Sequence, residues 1–137
     1  QRTSRPDMPA AEIMKLPKKE RNDPGYRIAQ HYKFALEQSM AHFADAPGVI
    51  VIEDDFLFSP DFLEYFNIAG PAVERDPTLW IASAWNDNGY HGVVERKDAL
   101  LRTDYFPGLG WLLLRSIWDE IKGRWPRGHW DWFMRDP

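Results

Sequence analysis

Between Tyr26 and Phe43 the apolar positions recur at steps of three and four. Ala29, Tyr32, Leu36, Met40 and Phe43 share one stripe, the pattern of a helix with a single buried face. Asp23-Pro24-Gly25 in front of it supplies turn or cap chemistry. After Asp45-Ala46-Pro47-Gly48 the helical period is lost. Gly48 to Ile52 is a short, largely β-branched run without alternation, which predicts a strand buried on both faces in a parallel sheet flanked by helices. Ser59-Pro60-Asp61 predicts the next helix, with Ser59 as N-cap, Pro60 at the first helical position and an end near Phe66. Asp76-Pro77 breaks the chain. Leu79 to Ala84 reads as a second strand and Asn86-Asp87-Asn88-Gly89 as a polar turn. Leu101 to Tyr105 and Trp111 to Leu114 are further strand candidates, separated by Phe106-Pro107-Gly108-Leu109-Gly110. Ser116 is placed to cap a helix containing Trp118 and Ile121, with Asp119 in the capping-box position. Trp125-Pro126 ends that helix, and a short final one is expected from near His129. The alternation of helices and strands predicts an α/β fold. Residues 1–24, rich in Pro, Lys, Arg and Asp, read as a loop-rich segment.

Composition narrows the function. The chain has 137 residues, 17 basic against 21 acidic, for a net charge of -4. That balance argues against a nucleic-acid partner, which calls for a basic surplus to neutralise phosphates. A hydrophobic share of 44% is enough for a packed core. Cysteine is absent, which excludes disulfides and thiolate metal sites within the chain. The longest apolar runs are too short to span a bilayer. Seven tryptophans suit either core packing or stacking on sugar faces, and core packing is the ordinary reading for each. The chain begins at Gln1 and stops at Pro137 directly after an aromatic run, so both ends read as cut from something longer.

The chemistry is concentrated in Val49-Ile50-Val51-Ile52-Glu53-Asp54-Asp55. A buried strand delivers its carboxyl end to the edge where open α/β folds bind ligands. Three acids there favour a positive partner. Hard divalent ions such as Mg²⁺ and Mn²⁺ take oxygen ligands and are held by one or two carboxylates plus substrate phosphates. Along an extended strand Glu53 and Asp55 would share one side and Asp54 the other, which leaves room for separate roles. Capping of the next helix, or a solvated loop, explains the same acids without any ligand.

Several stretches together resemble the N-acetylglucosaminyltransferase I family. They are His31-Tyr32-Lys33-Phe34-Ala35-Leu36, the acid-bearing strand with Pro60-Asp61-Phe62 and Glu64-Tyr65-Phe66, Ser83-Ala84-Trp85-Asn86-Asp87-Asn88-Gly89, Arg102-Thr103-Asp104-Tyr105-Phe106-Pro107-Gly108-Leu109-Gly110-Trp111, and the tail Trp125-Pro126, Trp130-Asp131, Met134-Arg135. They run in the family's order over roughly residues 25–135. The resemblance implies a GT-A, Rossmann-like nucleotide-sugar transferase core, incomplete at both ends, with residues 25–137 its central part. It implies inverting transfer of GlcNAc from UDP-GlcNAc to the α1,3-linked mannose of an N-glycan, with Mn²⁺ as cofactor. It also implies a Golgi enzyme whose full-length form carries a membrane anchor.

Carried over by position, the resemblance makes Asp55 the metal ligand and sets Glu53 and Asp54 against the donor's sugar or ribose. It brings His31 to the nucleotide, makes Asp131 the catalytic base, and gives Trp130 and Arg135 acceptor-side or supporting roles. The family pattern Trp-Asp-Asp-Trp-Met-Arg departs here to Trp130-Asp131-Trp132-Phe133-Met134-Arg135. The base position is kept and its neighbour becomes Trp132. Two other readings stay open: transfer of GlcNAc to O-linked mannose, and a non-catalytic carbohydrate-binding or assembly protein that retains the core. The isolated chain, short of most uridine contacts, is expected to have little transferase activity.

Overall fold

The structure is a computed structural model that describes residues 17–96 and 98–136. Most of the loop-rich segment expected at 1–24 lies outside the described residues. The chain divides into two compact units, Gln1–Ala44 with Ile121–Pro137, and Asp45–Glu120.

The first unit is helical. A single turn, α1 (Lys18–Arg21), precedes α2 (Pro24–His42). The cap expected before α2 is present: the Asp23 carboxylate accepts the backbone N–H groups of Gly25 at 2.9 Å and Tyr26 at 3.3 Å, and Pro24 needs no donor partner at the first turn. The predicted stripe is buried at Ala29, Leu36 and Met40, with Tyr26 added at its start. Phe43, assigned to the same stripe, lies past the last helical residue and is exposed. The rest of the unit is a 3₁₀ turn (Lys122–Arg124), an irregular stretch, and the short α5 (Trp130–Arg135), as expected near His129.

The second unit packs a three-stranded sheet on a helix. In chain order it contains β1 (Gly48–Val51), α3 (Phe62–Arg75), β2 (Ile81–Ser83), β3 (Trp111–Leu114) and α4 (Arg115–Ile121), whose last residue falls in the first unit. The strand order is β1-β3-β2, and both pairings are antiparallel. The parallel neighbour expected for β1 is therefore replaced by an antiparallel one. β1 and β2 do run the same way, but β3 returns between them, with Ile50↔Leu112 and Ala82↔Leu112 in register. An apolar run without alternation reports burial on both faces, not strand direction. β3 fits that rule best, with all four residues buried, whereas β1 is only half-buried.

Leu112 and Leu114 face α3 and form a core with Phe66, Ala69, Val73 and Ala82, while Trp111 and Leu113 on the opposite face are fully buried. The Tyr65 hydroxyl donates to the Ser83 carbonyl at 2.6 Å and ties α3 to β2. At Gly48 the strands approach so closely that a Cβ would lie 2.4 Å from the Leu113 carbonyl oxygen, so only glycine fits.

Other boundaries moved. α3 starts at Phe62 and runs to Arg75, well past Phe66, with Pro71 inside it. Ser59 is not its N-cap: its hydroxyl donates to the Asp61 carboxylate and holds that group below the usual carboxylate range. α4 follows β3 without a break, so Ser116 lies inside the helix and has no end to cap. Leu101–Tyr105 pairs with no strand. Exposure of Leu100 and Leu101 gives the reason, since an apolar run without a covering face gains nothing from extension.

Candidate active site

Glu53, Asp54 and Asp55 follow β1 after the single residue Ile52, all exposed. The ladder ends at Val51, and the chain turns at Asp54–Asp55. Strand β1 itself is fixed by its ladder to β3. The Arg115 side chain reinforces its approach by donating to the Ala46 carbonyl at 3.1 Å. The acids thus leave a fixed strand end on an open turn. Exposure also relieves their mutual repulsion, because like charges about 4 Å apart cost only about 1 kcal/mol in water.

Among the described residues no three His, Asp or Glu side chains converge into a metal cage. The donor set still suits one class of ion. A Mg²⁺- or Mn²⁺-like cation takes one or two carboxylates and fills its other positions with phosphate oxygens and water, and Asp55 on an exposed turn can offer such a single oxygen ligand.

The other predicted site residues lie in the first unit. His31 is half-buried on α2, between Gln30 and Tyr32. Asp131 stands in the first turn of α5, about half-exposed, with Arg135 Nη1 3.7 Å from its Oδ2 one helical turn on. Trp130 is 8% exposed. Its ring stacks on Tyr32 at 4.0 Å between centroids and lies nearly parallel to Trp125 at 6.4 Å. Trp130 therefore supports Asp131 by packing α5 onto α2 rather than by offering a face to a sugar. Trp111, Trp118 and Trp125 are also buried, whereas Trp85 and Trp132 are exposed. Trp132, at the position that departs from the family pattern, is 67% exposed, with the His129 ring 5.5 Å away.

Several residues that hold this arrangement were given no role by the sequence, although Trp125-Pro126 lies among the stretches that resemble the family. The Trp125 indole N–H donates to the Ala29 carbonyl at 2.9 Å. Gln30 Nε2 reaches the carbonyls of both Pro126 and Arg127 at 3.2 Å. Arg127 pairs with Glu20, which raises the guanidinium pKa, and lies 5.8 Å from the centre of the Tyr26 ring. His129 adopts a left-handed conformation, with φ 52°, uncommon for a residue with a side chain. These contacts join positions about a hundred residues apart, and no local pattern announces them. The hints were the Trp125-Pro126 pair in the family-like tail and the place of Gln30, directly before the His31-Tyr32 pair.

The GNT-I family profile matches residues 3–137. The chain belongs to the GNT-I family. One relative is an alpha-1,3-mannosyl-glycoprotein 2-beta-N-acetylglucosaminyltransferase of Arabidopsis thaliana, 47% identical over 110 residues. The match takes in 80% of this chain and 24% of that protein, so the chain spans about a quarter of its relative's length. Within this GNT-I family chain, no helix of the described residues is long and apolar enough to cross a membrane.

Proposed function

We propose that this chain is the central part of a GT-A type glycosyltransferase that moves GlcNAc from UDP-GlcNAc to the α1,3-linked mannose of an N-glycan, with inversion at the anomeric carbon. The observation that carries the reading is the 47% identity to a relative of that name. The retained acids Glu53, Asp54, Asp55 and Asp131 support it, because the transfer needs two separate carboxylate sites.

In this mechanism Asp131 accepts the proton of the attacking mannose hydroxyl as the new O–C1 bond forms. The C1–O bond to the diphosphate breaks at the same time, and UDP leaves with its electron pair. Arg135, one turn along α5, places its Nη1 3.7 Å from the Asp131 Oδ2. His31 contacts the nucleotide, and Glu53 and Asp54 line the donor's sugar or ribose. Asp55 would hold Mn²⁺, which supplies charge neutralisation at the diphosphate when bound. The full-length protein on this reading is a membrane-anchored enzyme with a lumenal catalytic domain in the Golgi.

The test is calorimetry of UDP-GlcNAc with the full-length protein, with and without Mn²⁺, for the wild type and Asp55→Ala. Binding that requires Mn²⁺ and vanishes in the variant is expected. Absence of binding by the wild type under every condition overturns the reading. Acceptors ending in N-glycan mannose and in O-linked mannose, compared side by side, then fix the acceptor.

A further inference from the structure

α5 has six residues, too few to hold a helix by themselves. Its N-cap residue, His129, is left-handed and gives no side-chain cap. The position of Asp131 in the first turn of α5 therefore depends on the Tyr32–Trp130 stack and on how the irregular stretch Trp125–His129 is held. That stretch lies against the start of α2: a Cβ placed on Gly128 would sit 3.5 Å from the Tyr26 nitrogen. Besides the Arg127 guanidinium, 5.8 Å from the centre of the Tyr26 ring, two side-chain groups bond to backbone carbonyls across this contact. The Trp125 indole N–H binds the Ala29 carbonyl, and Gln30 Nε2 binds the Pro126 and Arg127 carbonyls. Only the nitrogen end of the Gln30 amide can face two carbonyl oxygens, so its orientation is set by chemistry.

We propose that Gln30 is a positioning residue for Asp131: its amide fixes the two carbonyls that lead into α5 and so sets where the base stands relative to the acceptor hydroxyl. The proposal rests on the reading of Asp131 as the base. Gln30 is also the neighbour of His31 on α2, so one helix carries the predicted nucleotide contact and the clamp on the base. A misplacement of about 1 Å in a reacting group costs on the order of 10²-fold in rate. Loss of the clamp should therefore appear in kcat and leave donor affinity unchanged.

The experiment compares Gln30→Met, Gln30→Lys, Gln30→Glu and Asp131→Asn in the full-length enzyme. It measures kcat, KM for UDP-GlcNAc, and the stoichiometry of UDP-GlcNAc binding. Gln30→Met keeps the length of the side chain without its donors, and Gln30→Lys restores donors as an ammonium group. The expected result for Gln30→Met is a kcat lowered about 10- to 100-fold, with donor KM within about twofold and full binding stoichiometry, and substantial recovery in Gln30→Lys. Wild-type kcat in Gln30→Met overturns the proposal. So does a rise in donor KM alone, which would place the effect at His31, or a loss of activity that tracks a loss of binding sites, which marks general unfolding. If Gln30→Met does not fold, Gln30→Lys should exceed Gln30→Glu, which sets a carboxylate against two carbonyls, by at least about tenfold. Equal rates overturn the proposal. Asp131→Asn tests the underlying reading separately. Retained activity there removes the base assignment, whereas a dead Asp131→Asn beside an unaffected Gln30→Met removes only the clamp.

Discussion

The turn after β1 and the stretch before α5 both deliver carboxylates, and they do so in opposite ways. Glu53, Asp54 and Asp55 leave a strand whose ladder is fixed and then project on an exposed turn. Asp131 sits on a helix too short to stand alone, brought into place by an indole hydrogen bond, a glutamine clamp and a Tyr32–Trp130 stack. On the function proposed here, the contrast matches two different demands. A carboxylate that meets a cation and a diphosphate must exchange water for ligand, so an open turn serves it. A base must already stand within hydrogen-bond reach of one hydroxyl, so rigid support serves it.

The sharpest way to break this comparison is to remove each carboxylate in the full-length protein. Asp131→Asn is expected to lower kcat by about 10²–10⁴-fold, the range of one general base, with UDP-GlcNAc binding intact. Asp55→Ala is expected to lose donor binding together with its metal dependence, and to leave thermal stability unchanged because the turn is exposed. Calorimetry and steady-state rates read both. If the two variants lose the same property, the division of labour between the regions is wrong.

Next in size come changes to the strand that carries the acids. Leu113→Ala empties a fully buried position between Val49 and Ile81 in the ladder and should cost about 2–5 kcal/mol. Gly48→Ala places a methyl where the Leu113 carbonyl already lies and should cost about 1–3 kcal/mol through forced strand displacement. Denaturant melts measure both. Gly48→Ala should in addition weaken donor binding, because it displaces the strand that ends at the acids. A melt unchanged by Gly48→Ala would show that β1 shifts without penalty and that the acid turn is less firmly mounted than the ladder implies.

The two regions also differed in how far the sequence revealed them. Helix α2 was legible because its stripe has a clear period and Asp23 caps it. β3 was legible as an unbroken apolar run. Strand direction was not, because β3 arrives through a long connection and pairs by tertiary choice. The start of α3 was misplaced because Ser59 spends its hydroxyl on Asp61 instead of on the helix. For the site, the acid triplet could be found from local pattern alone, since it follows a strand-like run. Asp131 could not: its role came only through resemblance, and its supports Gln30 and Trp125 join segments distant in sequence.

The smallest effect tests the tie that holds α3 on the sheet. Tyr65→Phe removes the hydroxyl that donates to the Ser83 carbonyl, and the net loss should be about 1 kcal/mol. The tie has a pH signature. Burial raises the Tyr65 phenol above its ordinary value of 10.0, so the folded state resists ionisation that the unfolded state accepts. Its stabilisation is complete below the unfolded value and is lost as pH climbs through the higher folded one. Denaturation midpoints measured from about pH 9 to about pH 11 should therefore fall more steeply for the wild type than for Tyr65→Phe, and the two curves should converge. Parallel curves would mean that the phenol ionises as freely in the folded protein as in the unfolded chain, and that α3 is held on the sheet by its apolar face alone.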